Sequence, residues 1–375
     1  MHGAMKKPVV ALVLFWILTE IIPANAYDLV PLPAQPKGTP WPTETWPEQP
    51  TTAALEAIVD EGFDNTVVPG TRAIVVVHRG VLVAERYAPG FSVDQKFLSQ
   101  SVAKSVLNTL IGVLVKDGVL DIDEPAPVAE WQEDARRRII VANLLQMSSG
   151  LDFNEAYFNP VTSDVLPMLF GEGRKDMGQH AARSPLAHTP GTYWSYSSGT
   201  TNLLSRIVRD RVGGDRTSYL SFMRDRLFEP IGMKSAEPEF DASGTFVASS
   251  WLHATARDWA RFGLFVLRGG NWEGEALLPE GWTDWSRTPL AHTSTGMYGA
   301  HFWLNIGDLE TGEGRRIANG PRDAFMASGH RGQYVVMVAS KDLVIVRLGH
   351  TGYADYPRVA DWLGRLINSF DDVKR

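Results

Sequence analysis

The sequence predicts an α/β sandwich in which N- and C-terminal segments build one antiparallel sheet flanked by helices, with an all-helical region inserted between them. Three observations predict it. Residues 73–78 and 81–87 are β-rich runs separated by Arg79-Gly80, the pattern of a hairpin. Residues 334–339 and 343–348 flank Ser340-Lys341-Asp342 as a second hairpin near the other end. Between them, from about residue 104 to 234, the signals are mainly helical. The expected organisation is therefore an α/β domain from 51–105 and 235–375 with a mainly helical region at 106–234. No internal repeat is visible.

Composition supports a full-size core. Hydrophobic residues make up 44% of the 375 positions and charged residues 21%, which is not a disordered composition. The formal net charge of -7 argues against a non-specific nucleic-acid binder, which needs a basic face to neutralise phosphates. There is no cysteine, so disulfides, thiol nucleophiles and Cys-ligated metals are excluded.

Taken in chain order, residues 1–26 read as a signal peptide. Lys6 and Lys7 precede an unbroken apolar run at 9–18, and Ala24-Asn25-Ala26 is a small-x-small cleavage site. The run is short for a bilayer span and Glu20 follows it, which disfavours an uncleaved anchor. The expectation is an exported protein, periplasmic or secreted, with no stable membrane anchor after cleavage. Residues 27–50 are rich in proline and hold Trp41 and Trp46. Such a segment favours extended backbone, and its tryptophans suggest an arm docked on the body. Residues 52–63 form a short amphipathic pattern. Val359, Leu363, Leu366, Ile367 and Phe370 recur at helical spacing near the end.

The chemistry-bearing residues fall into three clusters. Ser101-Val102-Ala103-Lys104 holds the only Ser-x-x-Lys, followed by a stripe of Val102, Val106, Leu110 and Val113 that Gly118 can close. A three-residue offset on a helix puts Ser101 and Lys104 on one face. A hydroxyl is a poor nucleophile until a base takes its proton, and a desolvated lysine can be that base. The second cluster, Tyr196-Ser197-Ser198, follows the Pro190-Gly191 turn signal, and its Tyr196 and Ser198 can point the same way from an extended or turning loop. The third, Ser328-Gly329-His330-Arg331-Gly332-Gln333, runs into a strand, where Gly332 lets backbone approach a substrate closely. Each residue also has a structural use. Tyr196 can pack in a core, Ser198 can form a turn, His330 can be a satisfied structural histidine, and Arg331 can be a surface ion-pair residue. Thr255-x-x-Asp258 reads as a helix capping box.

The three clusters, in this order, resemble those of the penicillin-recognising serine hydrolases, which share the β-lactamase/transpeptidase-like fold. That family carries Ser-x-x-Lys, then Tyr-x-Asn or a variant, then Lys-Thr-Gly or a variant on a core strand. Further matching stretches lie at 144–151, 227–233 and 254–258. The sequence is most similar to the esterase and amidase branch that includes 6-aminohexanoate-dimer hydrolases. Ser198 stands where many β-lactamases have Asn, His330-Arg331-Gly332 replaces Lys-Thr-Gly, and 153–160 resembles a loop that closes over substrate with a tyrosine, here Tyr157.

The resemblance implies roles. Ser101 attacks a carbonyl, Lys104 accepts its proton, Tyr196 shares that work and protonates the leaving group, and Ser198 supports the proton path. The backbone N–H groups of Ser101 and Gln333 form the oxyanion hole, with Tyr157, His330, Arg331 and Gly332 as substrate-binding candidates. His330 is expected to change charge across neutral pH and so to alter binding of anionic substrates. Glu155-x-x-x-Asn159 has the form of the deacylating Glu loop of class A β-lactamases, but it precedes the Tyr196 cluster, the reverse of that order, and is set aside. No Gly-x-Ser-x-Gly elbow and no His-Glu-x-x-His motif is present. No cofactor or metal is expected. The implied function is hydrolysis of a small ester or unstrained amide, including 6-aminohexanoate-type oligomers, through an acyl-enzyme. The alternatives are a β-lactamase or D-Ala peptidase, and a non-hydrolysing binding protein of the same fold.

Overall fold

A computed structural model describes residues 28–290 and 296–374. The leader expected at 1–26 lies outside the described residues. Strands Thr71–His78 (β1), Val81–Tyr87 (β2), Trp303–Leu304 (β3), Ala324–Gly329 (β4), Gln333–Val338 (β5) and Leu343–Gly349 (β6) form one antiparallel sheet, in the order β2-β1-β6-β5-β4-β3. The ends of the chain meet at its centre, where Val75 of β1 lies opposite Val346 of β6.

The sheet is buried on both faces, which explains why its strands read as nearly continuous apolar runs. Successive side chains point to opposite faces. Ala73, Val75 and Val77 accordingly enter one core, while Ile74 and Val76 enter another. Helices Ala53–Glu61 (α1) and Tyr356–Asn368 (α5) cover the second face, tied together by a hydrogen bond from Trp362 Nε1 to the Ile58 carbonyl at 2.8 Å.

The first face carries the larger core. Helix Ala103–Lys116 (α2) is buried from Ala103 to Leu114, and its polar side chains are paired. Ser105 Oγ donates to the His301 carbonyl at 2.6 Å, and Asn108 Nδ2 donates to Ser286 Oγ and the Ala300 carbonyl at 3.0 Å each. Helix Ser198–Arg211 (α3) packs against α2, and Ala256–Leu267 (α4) lies on the sheet. A Cβ on Gly263 of α4 would sit 2.6 Å from Val344 Cγ1, so this glycine sets how closely helix and sheet approach. Thr255 caps α4 through Asp258 N, and Asp258 pairs with Arg261 at 2.6 Å. Its carboxylate is structural.

The proline-rich arm lies along α4. Trp41 packs on Trp272 with centroids 4.8 Å apart, and Arg261 Nε donates to the Pro42 carbonyl at 2.7 Å. Among the described residues, no helix is long and apolar enough to cross a membrane, and no three His, Asp or Glu side chains gather as a metal site.

One buried ion pair fastens α4 and the arm to the β5–β6 turn. Arg268 Nη1 meets Asp342 Oδ1 at 2.6 Å with both side chains almost fully buried, and Arg268 Nε donates to Gln35 Oε1 at 2.9 Å. Removing one partner leaves an uncompensated buried charge, which costs about 3–5 kcal/mol. Asp342→Ala is therefore expected to lower unfolding free energy by about that much in denaturant titration. A loss below about 1 kcal/mol, typical of an exposed pair, would contradict the burial.

Candidate active site

Ser101 sits where a short extended strand turns into α2. Gln100 takes a left-handed φ of 49° to make the turn, and Gln100–Val102 forms one turn of 3₁₀ helix. Buried Ser99 pins it from behind: its Oγ bonds to the Ser250 carbonyl at 3.1 Å and accepts from Leu252 N at 3.2 Å. Leu252–Thr255 in turn pairs with Lys96–Leu98 as a small second sheet. The nucleophile candidate is thus held by backbone on both sides.

Lys104 is 1% exposed. Its Nζ donates to Ser101 Oγ at 3.2 Å, to Ser198 Oγ at 3.1 Å and to the Ser249 carbonyl at 2.8 Å. It also lies 4.8 Å from the centre of the Tyr196 ring. Burial disfavours the ammonium form and brings its pKa down to about 8, with the Glu155 charge pulling the other way. At pH 7 roughly one molecule in ten carries the neutral amine.

Tyr196 precedes α3 and lines the same cavity as Ser101. Its ring stacks on Trp303 at 5.4 Å and meets Tyr298 edge-on at 6.0 Å. Desolvation, then the Glu155 charge, raises its pKa, so it stays a neutral phenol and a donor. Ser198 is the first residue of α3, not part of a loop, and Ser197 caps that helix by accepting from Thr200 N. The helix start fixes Ser198 Oγ between Lys104 Nζ and Glu155.

Glu155 belongs to this site, contrary to the reading that set it aside. Its Oε2 accepts from Ser198 N at 2.7 Å, and its Oε1 accepts from Ser198 Oγ at 2.6 Å and the Tyr157 hydroxyl at 2.9 Å. Sequence order placed it before Tyr196, but the 152–160 loop folds back over the α3 N-terminus. Lys104, Ser198 and Glu155 form one continuous polar chain beneath Ser101.

Above this chain opens a cavity of about 540 Å³, lined by Ser101, Tyr196, Tyr157, His330 and Arg331 among others. Tyr157 is 40% exposed, and its hydroxyl points down to Glu155. Its ring lies parallel to that of His330 with centroids 6.5 Å apart, and Phe158 stands edge-on to Tyr353 at 6.2 Å. These pairs face each other across the opening.

The third cluster is displaced from its expected register. Gln333 does not line this cavity. It pairs with Gly329 across the β4–β5 hairpin, and its side-chain amide donates to the His330 carbonyl at 3.1 Å and the Gly349 carbonyl at 2.7 Å. Gly332 does not line it either. It takes a φ of 80°, and a Cβ there would meet Arg347 Nη1 at 2.4 Å, so its close approach is to protein rather than to substrate. Gly329 is the glycine pressed against the Ser101 turn: a Cβ would lie 2.5 Å from the Ser99 carbonyl oxygen and 3.1 Å from Ser101 N. His330 follows it at the cavity wall. Among the described residues, neither the Ser101 nor the His330 backbone N–H donates a hydrogen bond. The expected charge change of His330 across neutral pH also moves: burial, then the Arg331 and His350 charges, lower its pKa, and its Nδ1 lies 2.8 Å from the Tyr353 hydroxyl. It is neutral at pH 7. Arg331 takes a left-handed φ of 63° and donates its N–H to the Tyr356 hydroxyl at 2.7 Å.

Comparison with known proteins agrees with this architecture. The Beta-lactamase family model matches residues 55–368. A 6-aminohexanoate-dimer hydrolase of Paenarthrobacter ureafaciens is 28% identical over 328 residues, covering 81% of this chain and 78% of the relative. Among solved structures, a candidate 6-aminohexanoate-dimer hydrolase from Bacillus anthracis superposes with a TM-score of 0.68 at 21% identity, covering 86% and 87% of the two chains. A family VIII carboxylesterase gives 0.61 at 16% identity, covering 85% and 99%. A penicillin-binding protein from Bacillus halodurans also gives 0.61 at 16%, covering 82% and 98%. At these identities the solved structures speak for the fold. With the family model matched across most of its length, the chain belongs to the Beta-lactamase family.

Proposed function

We propose that this chain is a serine hydrolase that cleaves carboxylic esters or unstrained amides through an acyl-enzyme on Ser101. The observation that carries the reading is the buried Lys104 amine, 3.2 Å from Ser101 Oγ with a pKa near 8. A lysine in that state is a base at the nucleophile.

In this reading Ser101 Oγ attacks the substrate carbonyl carbon as its proton passes to neutral Lys104. The carbonyl oxygen, now negative, is received by the backbone N–H groups of Ser101 and His330, both otherwise uncommitted. Tyr196 gives its proton to the departing alkoxide or amine and regains one from the Lys104 ammonium. Water then attacks the acyl-ester, its proton returning along the same path, and releases the acid and free Ser101. Glu155 is a positioning residue: it orients Ser198 and sets the charge around Lys104.

Two features favour esters and unstrained amides over β-lactams. The strand residue at the place of the family's cationic Lys, counting back from Gly329, is buried apolar Ala327. The relative at 28% identity carries the name of an amide hydrolase. The signal-peptide pattern read at residues 1–26 supports an exported enzyme.

Ser101→Ala is expected to abolish p-nitrophenyl ester hydrolysis while leaving thermal unfolding in place. Turnover by the folded variant would sink the mechanism. Tyr196→Phe should lower kcat by about two orders of magnitude, the scale of a lost acid–base group. A change under threefold would reduce Tyr196 to packing. For pH, kcat/KM should rise as pH passes through about 8, where Lys104 loses its proton. Because the Glu155 charge stabilises the ammonium, Glu155→Gln should move this rising limb to lower pH. A limb that stays in place or moves to higher pH contradicts the assignment of the base.

A further inference from the structure

We propose that Arg316, held over the Trp303 ring, is a carboxylate-recognition site inside the cavity, and that the substrate is an ester or amide that carries an anionic group. This deepens the reading above and rests on Ser101 being the reacting residue.

Arg316 sits in the loop between β3 and β4 and lines the same cavity as Ser101. Its guanidinium carbon is 4.1 Å from the centre of the Trp303 ring, and Trp303 stacks in turn on Tyr196 at 5.4 Å. The cation therefore shares a wall with the proposed proton donor. A guanidinium held over an aromatic ring can still turn an N–H edge toward a carboxylate.

That edge has no protein acceptor. Among the described residues no hydrogen bond or ion pair engages Arg316, and its Nε is buried without a partner. Nε is enclosed by protein, so a ligand oxygen would be met by the terminal Nη groups, which have no protein acceptor among the described residues. The cavity carries little counter-charge of its own. Glu155 is its one acidic lining residue, and both oxygens are taken by Ser198 and Tyr157. Arg331 adds a second lining cation, and no carboxylate among the described residues pairs with it. Arg316 also borders a neighbouring cleft that holds Asp361, but that carboxylate is engaged by Arg365 at 3.2 Å and Asn319 at 2.7 Å. Two arginines that pair with no carboxylate among the described residues thus line the cavity against the single Glu155 carboxylate.

The test uses matched substrate pairs. With the charge in the acyl chain, the mono-p-nitrophenyl ester of glutaric acid is compared with p-nitrophenyl pentanoate. With the charge in the leaving group, p-carboxyphenyl pentanoate is compared with p-carbamoylphenyl pentanoate. The readout is the ratio of kcat/KM, acid over neutral, which cancels general loss of activity. Arg316→Gln is expected to lower the ratio for at least one pair by about tenfold or more, the scale of a lost charged hydrogen bond. The pair that responds tells which side of the scissile bond carries the anion. Ratios unchanged for both pairs overturn the proposal, as does a ratio that falls in Arg331→Gln and not in Arg316→Gln. Failure of the underlying reading is separate: it appears as hydrolysis of the neutral esters by Ser101→Ala, whatever the ratios do.

Discussion

The site depends on a lysine kept out of water. Lys104 is buried at the start of α2, and three oxygens from three parts of the chain receive its N–H groups. Desolvation lowers the cost of losing its proton, while the oxygens hold the nitrogen in place for either protonation state. If this amine were exposed, its pKa would stay near 10.4 and it would be a cation at neutral pH. On the proposed mechanism, Ser101 would then lack a base. The remaining architecture supplies the burial and the three oxygens.

Each oxygen has a distinct origin in the fold. Ser101 arrives on a strained turn that Ser99 clamps to Ser250 and Leu252. Ser198 is fixed because a helix begins there, and its position is shared between Lys104 and Glu155. The Ser249 carbonyl comes from the segment that leads into the small second sheet. The hairpin on the far side is braced from behind. Fully buried Arg347 donates to the Gly332 carbonyl at 2.7 Å, and the Gln333 amide ties the His330 and Gly349 carbonyls together. This bracing fixes the hairpin around His330 at the cavity wall. Catalysis in this account is placement by backbone and burial, with few side chains doing chemistry.

Much of this was legible in the sequence, for identifiable reasons. The strands at both ends have short apolar runs and turn residues, and the Ser101–Lys104 offset follows from helical periodicity. Tyr196 and Ser198 were visible from spacing after a Pro-Gly turn. Other features depend on how loops return. Glu155 was set aside on sequence order, yet the 152–160 loop lays it across the N-terminus of α3. The third cluster holds two glycines, Gly329 and Gly332, three residues apart. Spacing alone does not say which one touches the Ser101 turn, and the hairpin register decides for Gly329. The neutrality of His330 comes from burial beside Arg331 and His350, which no local pattern records. Arg316 and Trp303 lie in and beside an aperiodic connection, where only the folded chain brings them against Tyr196.

The central claim is that buried Lys104 activates Ser101. Covalent labelling with a fluorophosphonate tests it most directly, with the adduct located by peptide mass mapping and its rate of formation followed in the unaltered protein and in Lys104→Met. The account predicts a single adduct on Ser101 that forms at least about a hundredfold more slowly in the variant, the scale of a lost general base. An adduct on another residue, or equal labelling rates in the two proteins, would contradict it.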